Sequence, residues 1–203
     1  MRREGGYVRL PLFAAGETIG LLGGSFNPPH SGHLLASRLA LTRLGLSRVW
    51  WLATPGNPLK SPADLAALRT RLEAARALID DPRIAVTGFE SEIGSRYTAD
   101  TLRFLKRRAS GARFVWIMGA DNLAQFHRWR DWKEIAAAVP ILVVDRPGAS
   151  FTALSSRAGQ ALARWRRPES DAARLAFLDP PAWIFLHGPR SSASSTALRR
   201  RTG

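Results

Sequence analysis

One strand–loop–helix junction near the N-terminus limits how this chain can fold more than any other feature. The apolar residues 18–22 run into a loop rich in glycine and proline, residues 23–33, and a leucine- and alanine-rich segment, residues 34–46, follows. Glycine and proline end the predicted strand, and a helix begins after them. Glycine lets a backbone approach a phosphate closely, and a helix N-terminus offers unpaired N–H groups. The junction therefore predicts a site for a phosphate-bearing ligand.

The rest of the chain alternates between short apolar runs and segments with apolar residues at helical spacing. Strands are predicted at residues 18–22, 48–54, 83–87, 113–119, 139–145 and 183–186. Helices are predicted at residues 34–46, 63–79, 98–109, 121–138 in two pieces, 154–165 and 195–201, with a loop at 88–97. This alternation indicates α/β architecture, a single domain with a doubly wound, Rossmann-like parallel sheet. We expect residues 1–17 to be a mobile N-terminal extension and residues 18–203 to form the domain.

Composition narrows the class of protein further. A chain of 203 residues that is 45% hydrophobic can bury a substantial core in one domain. The chain has no cysteine, which excludes disulfides, thiolate metal sites and a cysteine nucleophile. No apolar run approaches the roughly 20 residues that span a bilayer. We therefore expect a cytoplasmic protein without a membrane partner.

The chain is strongly basic, with a formal net charge of +14. Such a charge could bind nucleic acid or attract polyanionic small molecules. Lysine and arginine total 30 residues, of which only three are lysines, and the arginines are scattered along the chain. This distribution favours ordinary solvated helix faces, and no nucleic-acid partner is expected. A basic nucleic-acid-binding protein on the same scaffold stays open as an alternative.

Two motifs near opposite ends of the chain form a recognisable pair. The loop ends in His30-Ser31-Gly32-His33, and residues 194–199 read Ser-Ser-Thr-Ala-Leu-Arg. The first resembles the H-x-G-H signature of the nucleotidyltransferase superfamily, and the second resembles its S-S-T-x-x-R signature. Within that superfamily the chain is most similar to the nicotinate-nucleotide adenylyltransferase family, from about residue 19 to residue 199. That resemblance implies transfer of AMP from ATP to nicotinate mononucleotide, giving deamido-NAD and pyrophosphate.

The resemblance also implies roles for residues on the ATP side. His30 and His33 would donate hydrogen bonds to ATP phosphate oxygens as negative charge redistributes, and Lys60 and Arg199 would pair with the triphosphate or departing pyrophosphate. Further ATP contacts are implied for Gly23, Gly24, Ser25, Phe26, Asp121, Ser194, Ser195 and Thr196. Mg²⁺ is expected with ATP, and no metal site on the protein is expected because H-x-x-H lacks a third ligand at matching spacing.

The acceptor side is implied by a second group of residues. Trp129 would stack on the nicotinate ring, Thr98 would meet the ring carboxylate, and Arg146 would serve the mononucleotide phosphate. Ordinary core packing is the competing interpretation for Trp129, since tryptophan is abundant in this chain. Phosphopantetheine adenylyltransferase, which shares both signatures, is the alternative within the superfamily. Oligomeric state and the choice between nicotinate and nicotinamide mononucleotide stay open.

Overall fold

The structure is a computed structural model that describes residues 9–56, 65–188, 193, 195 and 198. At its centre, the described residues form a sheet whose strands are, in chain order, β1 (Thr18–Gly24), β2 (Arg48–Ala53), β3 (Ile84–Thr87), β4 (Arg113–Gly119), β5 (Ile141–Val144), β6 (Arg166–Arg167) and β7 (Trp183–Leu186). They lie in the order β3-β2-β1-β4-β5-β7-β6, and neighbouring strands pair in parallel. The predicted doubly wound α/β fold is confirmed.

Helices cover both faces of the sheet. They are α1 (Ser31–Arg43), α2 (Leu68–Leu78), α3 (Phe89–Glu92), α4 (Thr98–Arg108), α5 (Ala120–Gln125), α6 (Trp132–Ala138), α7 (Ser150–Ser155) and α8 (Arg157–Ala161). Short 3-10 segments occur at Phe126–Arg128, Ala163–Trp165 and Glu169–Phe177. Within the described residues, no helix is long and apolar enough to cross a bilayer.

The central strands are buried on both faces, which explains their continuous apolar sequences. Along β2, Trp50 and Leu52 enter one hydrophobic cluster, whereas Val49 and Trp51 enter the cluster on the opposite face of the sheet. A strand with one solvated face would instead alternate apolar and polar residues. Both faces of these strands are therefore covered, and the sheet is open to ligands only at its edges.

The switch in strand order lies between β1 and β4, which pair directly although helices and two strands separate them in sequence. Connections leave the carboxyl ends of these two strands in opposite directions, which opens a crevice at that edge. Gly24 ends β1 there, and Gly119 ends β4. Both strand ends carry residues that the sequence marked as candidate ligand contacts.

Several predicted elements differ from those in the structure. The predicted helix 34–46 begins earlier, at Ser31, so the second histidine of the H-x-G-H motif lies in its first turn. The predicted helix 63–79 begins at Leu68, and the predicted loop 88–97 contains α3. The predicted helix 154–165 is interrupted because the Ser156 hydroxyl accepts a hydrogen bond from the Gly159 N–H and starts a new helix. In the predicted terminal helix, the described residues Ser195 and Leu198 are helical.

The described part of the N-terminal extension packs against the domain. The Thr87 hydroxyl donates a hydrogen bond of 2.7 Å to the Arg9 carbonyl. The Phe13 ring meets the Trp50 ring edge-on, with centroids 5.9 Å apart. Leu10 and Phe13 therefore pack on the hydrophobic cluster that contains Trp50.

Candidate functional site

A cavity of about 680 Å³ opens at the carboxyl edge of the sheet, where β1 and β4 end. The first turns of α1, α4 and α5 and the segment after β5 form its walls. Ten of the predicted site residues line it: Gly23, Gly24, Ser25, His30, His33, Thr98, Asp121, Trp129, Arg146 and Ser195. Segments far apart in the sequence therefore meet around one space, as the motifs predicted.

At two positions beside the cavity, neighbouring side chains lie so close to the backbone that only glycine fits there. A Cβ atom on Gly23 would come within 2.7 Å of the Trp116 ring, whose indole also lines the cavity. A Cβ atom on Gly119 would come within 2.4 Å of the Asp121 carboxylate and 2.8 Å of Cδ of Arg146. Distances this short do not occur in folded proteins, so only glycine fits at the ends of β1 and β4 without movement of those side chains.

The two motif histidines stack against each other at the start of α1. Their ring centroids are 3.8 Å apart and the planes are tilted by 26°. The backbone N–H of His30 donates a hydrogen bond of 3.2 Å to Nδ1 of His33. Because Nδ1 of His33 accepts this hydrogen bond, the neutral His33 ring carries its own hydrogen on Nε2. His33 therefore offers an N–H donor from the ring atom opposite its backbone contact.

His30 is held neutral by its surroundings. The residue is 7% exposed, and burial, assisted by the positive charge of Arg146, lowers the pKa of His30 to about 4, against a smaller opposing effect of Asp121. Nδ1 of His30 is buried and makes no hydrogen bond to any described residue. At this buried position an unpaired N–H group would cost more free energy than an unpaired nitrogen acceptor. The ring hydrogen of neutral His30 is therefore on Nε2, and Nδ1 carries none. Both rings thus offer Nε2–H donors near neutral pH.

A layer of aromatic side chains supports the histidines from beneath. The Phe26 ring stacks on the Trp51 ring, with centroids 4.9 Å apart and planes 2° apart, and lies 4.7 Å from the His33 ring. The Trp51 indole N–H donates to the Ser37 hydroxyl at 2.7 Å, and that hydroxyl donates to the His33 carbonyl. The Phe26 side chain is 1% exposed and does not line the cavity. The predicted contact of Phe26 with ATP stays a prediction, and its buried ring does not provide it.

The second motif meets the first across the cavity mouth. The Ser195 hydroxyl donates a hydrogen bond of 2.8 Å to the Pro28 carbonyl, in the loop that precedes His30. Nη2 of Arg146 donates to the Ala193 carbonyl at 2.7 Å, and its Nε lies 3.6 Å from the Asp121 carboxylate. Arg146 therefore lies between the end of β4 and the second motif. The predicted site residues Lys60, Ser194, Thr196 and Arg199 fall outside the residues that the structure describes.

The opposite end of the cavity is aromatic. Trp129 is half-buried and meets Trp116 edge-on at 6.2 Å and Phe126 edge-on at 5.3 Å. Thr98 is the first residue of α4 and faces the same space. Trp129 therefore packs on the core and also lines the cavity, so core packing does not remove it from the site.

Known proteins resemble the chain in both sequence and fold. Residues 21–201 match the cytidylyltransferase-like family. A protein of Methylorubrum extorquens with the name "Probable nicotinate-nucleotide adenylyltransferase" is 64% identical over 183 residues, which are 90% of this chain and 99% of that protein. A protein of the same name from Bradyrhizobium sp. is 62% identical over 185 residues, covering 91% and 96%. The chain belongs to the nicotinate-nucleotide adenylyltransferase family.

A solved structure of the Plasmodium falciparum nicotinic acid mononucleotide adenylyltransferase supports the fold. Its TM-score with this chain is 0.66 at 15% identity, and the match covers 91% of this chain and 83% of that one. That structure is complexed with APC, and a second structure of the same enzyme, equally similar, is complexed with NaAD. At this identity the likeness speaks for the shared architecture.

In this member of the adenylyltransferase family, two buried charged residues of the site were missed by the sequence analysis. Arg71 is 2% exposed and binds the carbonyls of Ser25 and Thr54 from beneath the first loop. Glu90 lines the cavity, and its carboxylate accepts a 2.7 Å hydrogen bond from the Thr101 hydroxyl. Burial raises the pKa of Glu90 to about 7, and the hydrogen bonds oppose the shift only in part.

A further feature that the sequence did not reveal closes the aromatic end of the adenylyltransferase cavity. The Arg130 guanidinium lies 3.7 Å from the Tyr97 ring centroid and also pairs with the Asp100 carboxylate. Tyr97 precedes α4, whereas Arg130 follows Trp129. This contact therefore ties together the two walls that carry the predicted acceptor residues.

A metal centre formed by the protein is absent from the described part of the chain. No group of three or more histidine or carboxylate side chains there could hold an ion. Neutral histidines that carry their hydrogen on Nε2 are donors at that atom, which suits an anionic ligand better than a cation.

Proposed function

We propose that this protein transfers AMP from ATP to nicotinate mononucleotide, giving deamido-NAD and pyrophosphate. The observation that carries the proposal is the stacked pair His30 and His33, whose Nε2–H donors stand beside a glycine-lined loop at the switch in strand order. This arrangement suits a polyphosphate, because a parallel sheet binds ligands at this edge and a helix begins there. The names of relatives at 62–64% identity support the same reaction.

The reaction is an in-line displacement at phosphorus. A phosphate oxygen of nicotinate mononucleotide bonds to the α-phosphorus of ATP, the bond from that phosphorus to the bridging oxygen breaks, and pyrophosphate leaves with the electron pair. Two anions must approach each other, so catalysis rests on positioning and charge neutralisation. The Nε2–H groups of His30 and His33 would hydrogen-bond the α-phosphate oxygens as charge builds up on them. Neither histidine needs to remove a proton.

On the ATP side, the proposed contacts surround those histidines. The backbone of residues 23–26 would approach the phosphates, and Ser195, whose hydroxyl lies at the Pro28 carbonyl, would hold the second motif against them. Asp121 is 54% exposed within the cavity wall and would bind a ribose hydroxyl. The resemblance implies that the β- and γ-phosphates would be bound by Ser194, Thr196, Lys60 and Arg199. ATP would enter as its Mg²⁺ complex, in which the cation screens the phosphate charge.

On the acceptor side, the aromatic end of the cavity suits a flat pyridine ring. Trp129 would stack on the ring, and the N-terminal turn of α4 at Thr98 would offer N–H groups to the ring carboxylate. Arg146 lies close enough to His30 to lower its pKa, so its charge acts at the reacting phosphates. That position suits the attacking phosphate of the mononucleotide better than the distant ring.

One assay tests this proposal against its alternatives. Pyrophosphate release from Mg²⁺-ATP is measured in parallel with nicotinate mononucleotide, nicotinamide mononucleotide and phosphopantetheine as acceptors. We expect release with nicotinate mononucleotide and far less with the other two. Preference for phosphopantetheine would overturn the choice of acceptor. Folded protein that releases none with any acceptor, yet binds nucleic acid with a steep salt dependence, would favour the nucleic-acid alternative instead.

A further inference from the structure

Arg71 occupies an unusual position for an arginine on an amphipathic helix. Leu68, Leu72 and Ala75 form the face of α2 that packs on the sheet, and Arg71 shares that face because it lies three residues after the first of them. The residue is 2% exposed. Its long side chain does not turn outward to solvent, as a helix-surface arginine would, but enters the protein beneath the loop that follows β1.

The guanidinium of Arg71 is surrounded by backbone carbonyls. Nη1 donates to the Ser25 carbonyl at 2.6 Å and to the Thr54 carbonyl at 3.0 Å, and Nε donates to the Ala66 carbonyl at 2.8 Å. No carboxylate among the described residues lies within ion-pair distance. A buried cation without a counter-ion costs free energy, which carbonyl dipoles offset only in part. The site therefore retains positive charge at the edge of the sheet where anions bind.

The contact with Ser25 fixes the orientation of one peptide group. In a trans peptide the C=O and N–H bonds point in opposite directions, so a Ser25 carbonyl directed at Arg71 turns the Phe26 N–H away from it. Phe26 has a φ of 47°, in the left-handed region that non-glycine residues seldom adopt. Successive N–H groups around such a residue form a concavity that binds anions. The buried Phe26 ring, stacked on Trp51, and the Arg71 guanidinium together hold this peptide in place.

We propose that Arg71 is a positioning residue for ATP, which orients the Ser25–Phe26 peptide toward the phosphates and adds its charge to the loop without touching the substrate. This inference rests on the proposed function, because it takes the loop to bind the ATP phosphates. The contact with Thr54 extends the same restraint to the end of β2. Arg71 thereby fixes the relative position of the two loops that leave β1 and β2.

The test compares R71Q and R71K with R69Q, a matched control. Arg69 lies two residues away on the same helix, is 66% exposed and pairs with Glu73. Dissociation constants for ATP and for nicotinate mononucleotide are measured separately by calorimetry, together with KM, kcat and thermal unfolding. We expect R71Q to weaken ATP binding about 10- to 100-fold, the loss of a charge-assisted hydrogen bond, and to leave mononucleotide binding nearly unchanged. R71K should weaken ATP binding less, and R69Q should match the wild type.

The ratio of the two affinities separates positioning from mere structural support. Equal loss of ATP and mononucleotide binding in R71Q, or ATP binding as tight as in the wild type, would overturn the proposal. Where R71Q does not fold, R71K carries the test, since lysine keeps the charge but not the geometry of three carbonyl contacts. If wild-type protein binds ATP but forms no dinucleotide, the proposed function fails, and the ATP arm still decides the role of Arg71.

Discussion

The Ser195 hydroxyl donates a 2.8 Å hydrogen bond to the Pro28 carbonyl, joining residues 167 positions apart. This bond connects the second sequence motif to the loop of the first. Replacing Ser195 by alanine should remove about 1 kcal/mol of stability and raise KM for ATP more than KM for the acceptor. Steady-state kinetics and thermal unfolding check this, with Ser155→Ala as a control because its hydroxyl makes a local, exposed helix bond. Equal change in both KM values would show that the bond does not serve ATP.

His33→Ala should reduce kcat by about 100- to 1000-fold, the usual cost of one donor to a developing charge. Binding of ATP should change much less, because the donor acts mainly in the transition state. Single-turnover rates and ATP titration measure the two effects. His187→Ala is the control, since His187 is half-exposed and pairs with Glu169 away from the cavity. Loss of ATP binding that matches the loss of rate would contradict a transition-state role for His33.

Trp129→Ala should weaken nicotinate mononucleotide binding about 5- to 100-fold, a range set by the roughly 1–3 kcal/mol that stacking of a base on an aromatic side chain contributes. ATP binding should stay close to that of the wild type. Because Trp129 also packs on Trp116 and Phe126, Trp129→Phe keeps part of both contacts and should lose less. Trp165→Ala, which removes a half-buried tryptophan that does not line the cavity, controls for general destabilisation. Calorimetry with each ligand checks the ratio, and equal weakening of both would indicate damage to the core.

The titration of His30 should follow its charged neighbours. With a folded pKa of about 4 and an unfolded value near 6.5, His30 favours folding above pH 6.5, and this contribution is lost as the pH falls toward 4. Arg146→Gln should raise the pKa of His30, and Asp121→Asn should lower it. Imidazole ¹⁵N chemical shifts, followed against pH, measure both changes. A normal pKa in the unliganded wild-type protein would refute the buried neutral state of this ring.

Glu90 should have the opposite effect on stability. Its pKa is about 7 in the folded chain and 4.5 in the unfolded chain, so its contribution is present below pH 4.5 and is lost as the pH rises to 7. A shift of this size corresponds to at most about 3 kcal/mol. Glu90→Gln keeps an acceptor for Thr101 and should therefore be more stable than the wild type at pH 8 but not at pH 5. Denaturant unfolding at both pH values tests this, with exposed Glu92→Gln as control.

The strands that were predicted best are those buried on both faces. Residues 113–119 and 183–186 have the predicted limits, because a continuous apolar run between glycine, proline or polar residues marks where a buried strand begins and ends. The H-x-G-H motif and Ser195 of the S-S-T-x-x-R motif likewise line the same cavity. Each of these features lies within a short stretch of sequence, and the residue types that can form it are few. Residues 166–177 form a two-residue edge strand and a 3-10 segment, which were not predicted because the strand is too short to show a pattern and the segment follows directly after Pro168.

The residues that were missed act through distant contacts. Glu90 is buried because α3 packs beside β2 and α4, and no spacing within its own segment signals this. Arg71 could have been noticed, since its position after Leu68 and before Leu72 places it on the apolar face of α2. Arg71 was missed because all arginines of the predicted helices were expected to face solvent. A charged residue on an apolar helical face is therefore a useful indication of a buried functional contact.

The three carbonyls bound by Arg71 lie 46, 17 and 5 residues away along the chain. Their convergence has a consequence for the order in which the protein matures. The loop after β1 cannot reach its final conformation until β2 has paired and α2 has docked, because its restraint arrives with that helix. A nascent chain that ends before α2 therefore lacks the Arg71 contacts that orient the loop after β1. The conformation of this loop therefore depends on the docking of α2 as well as on the sequence of the motif itself.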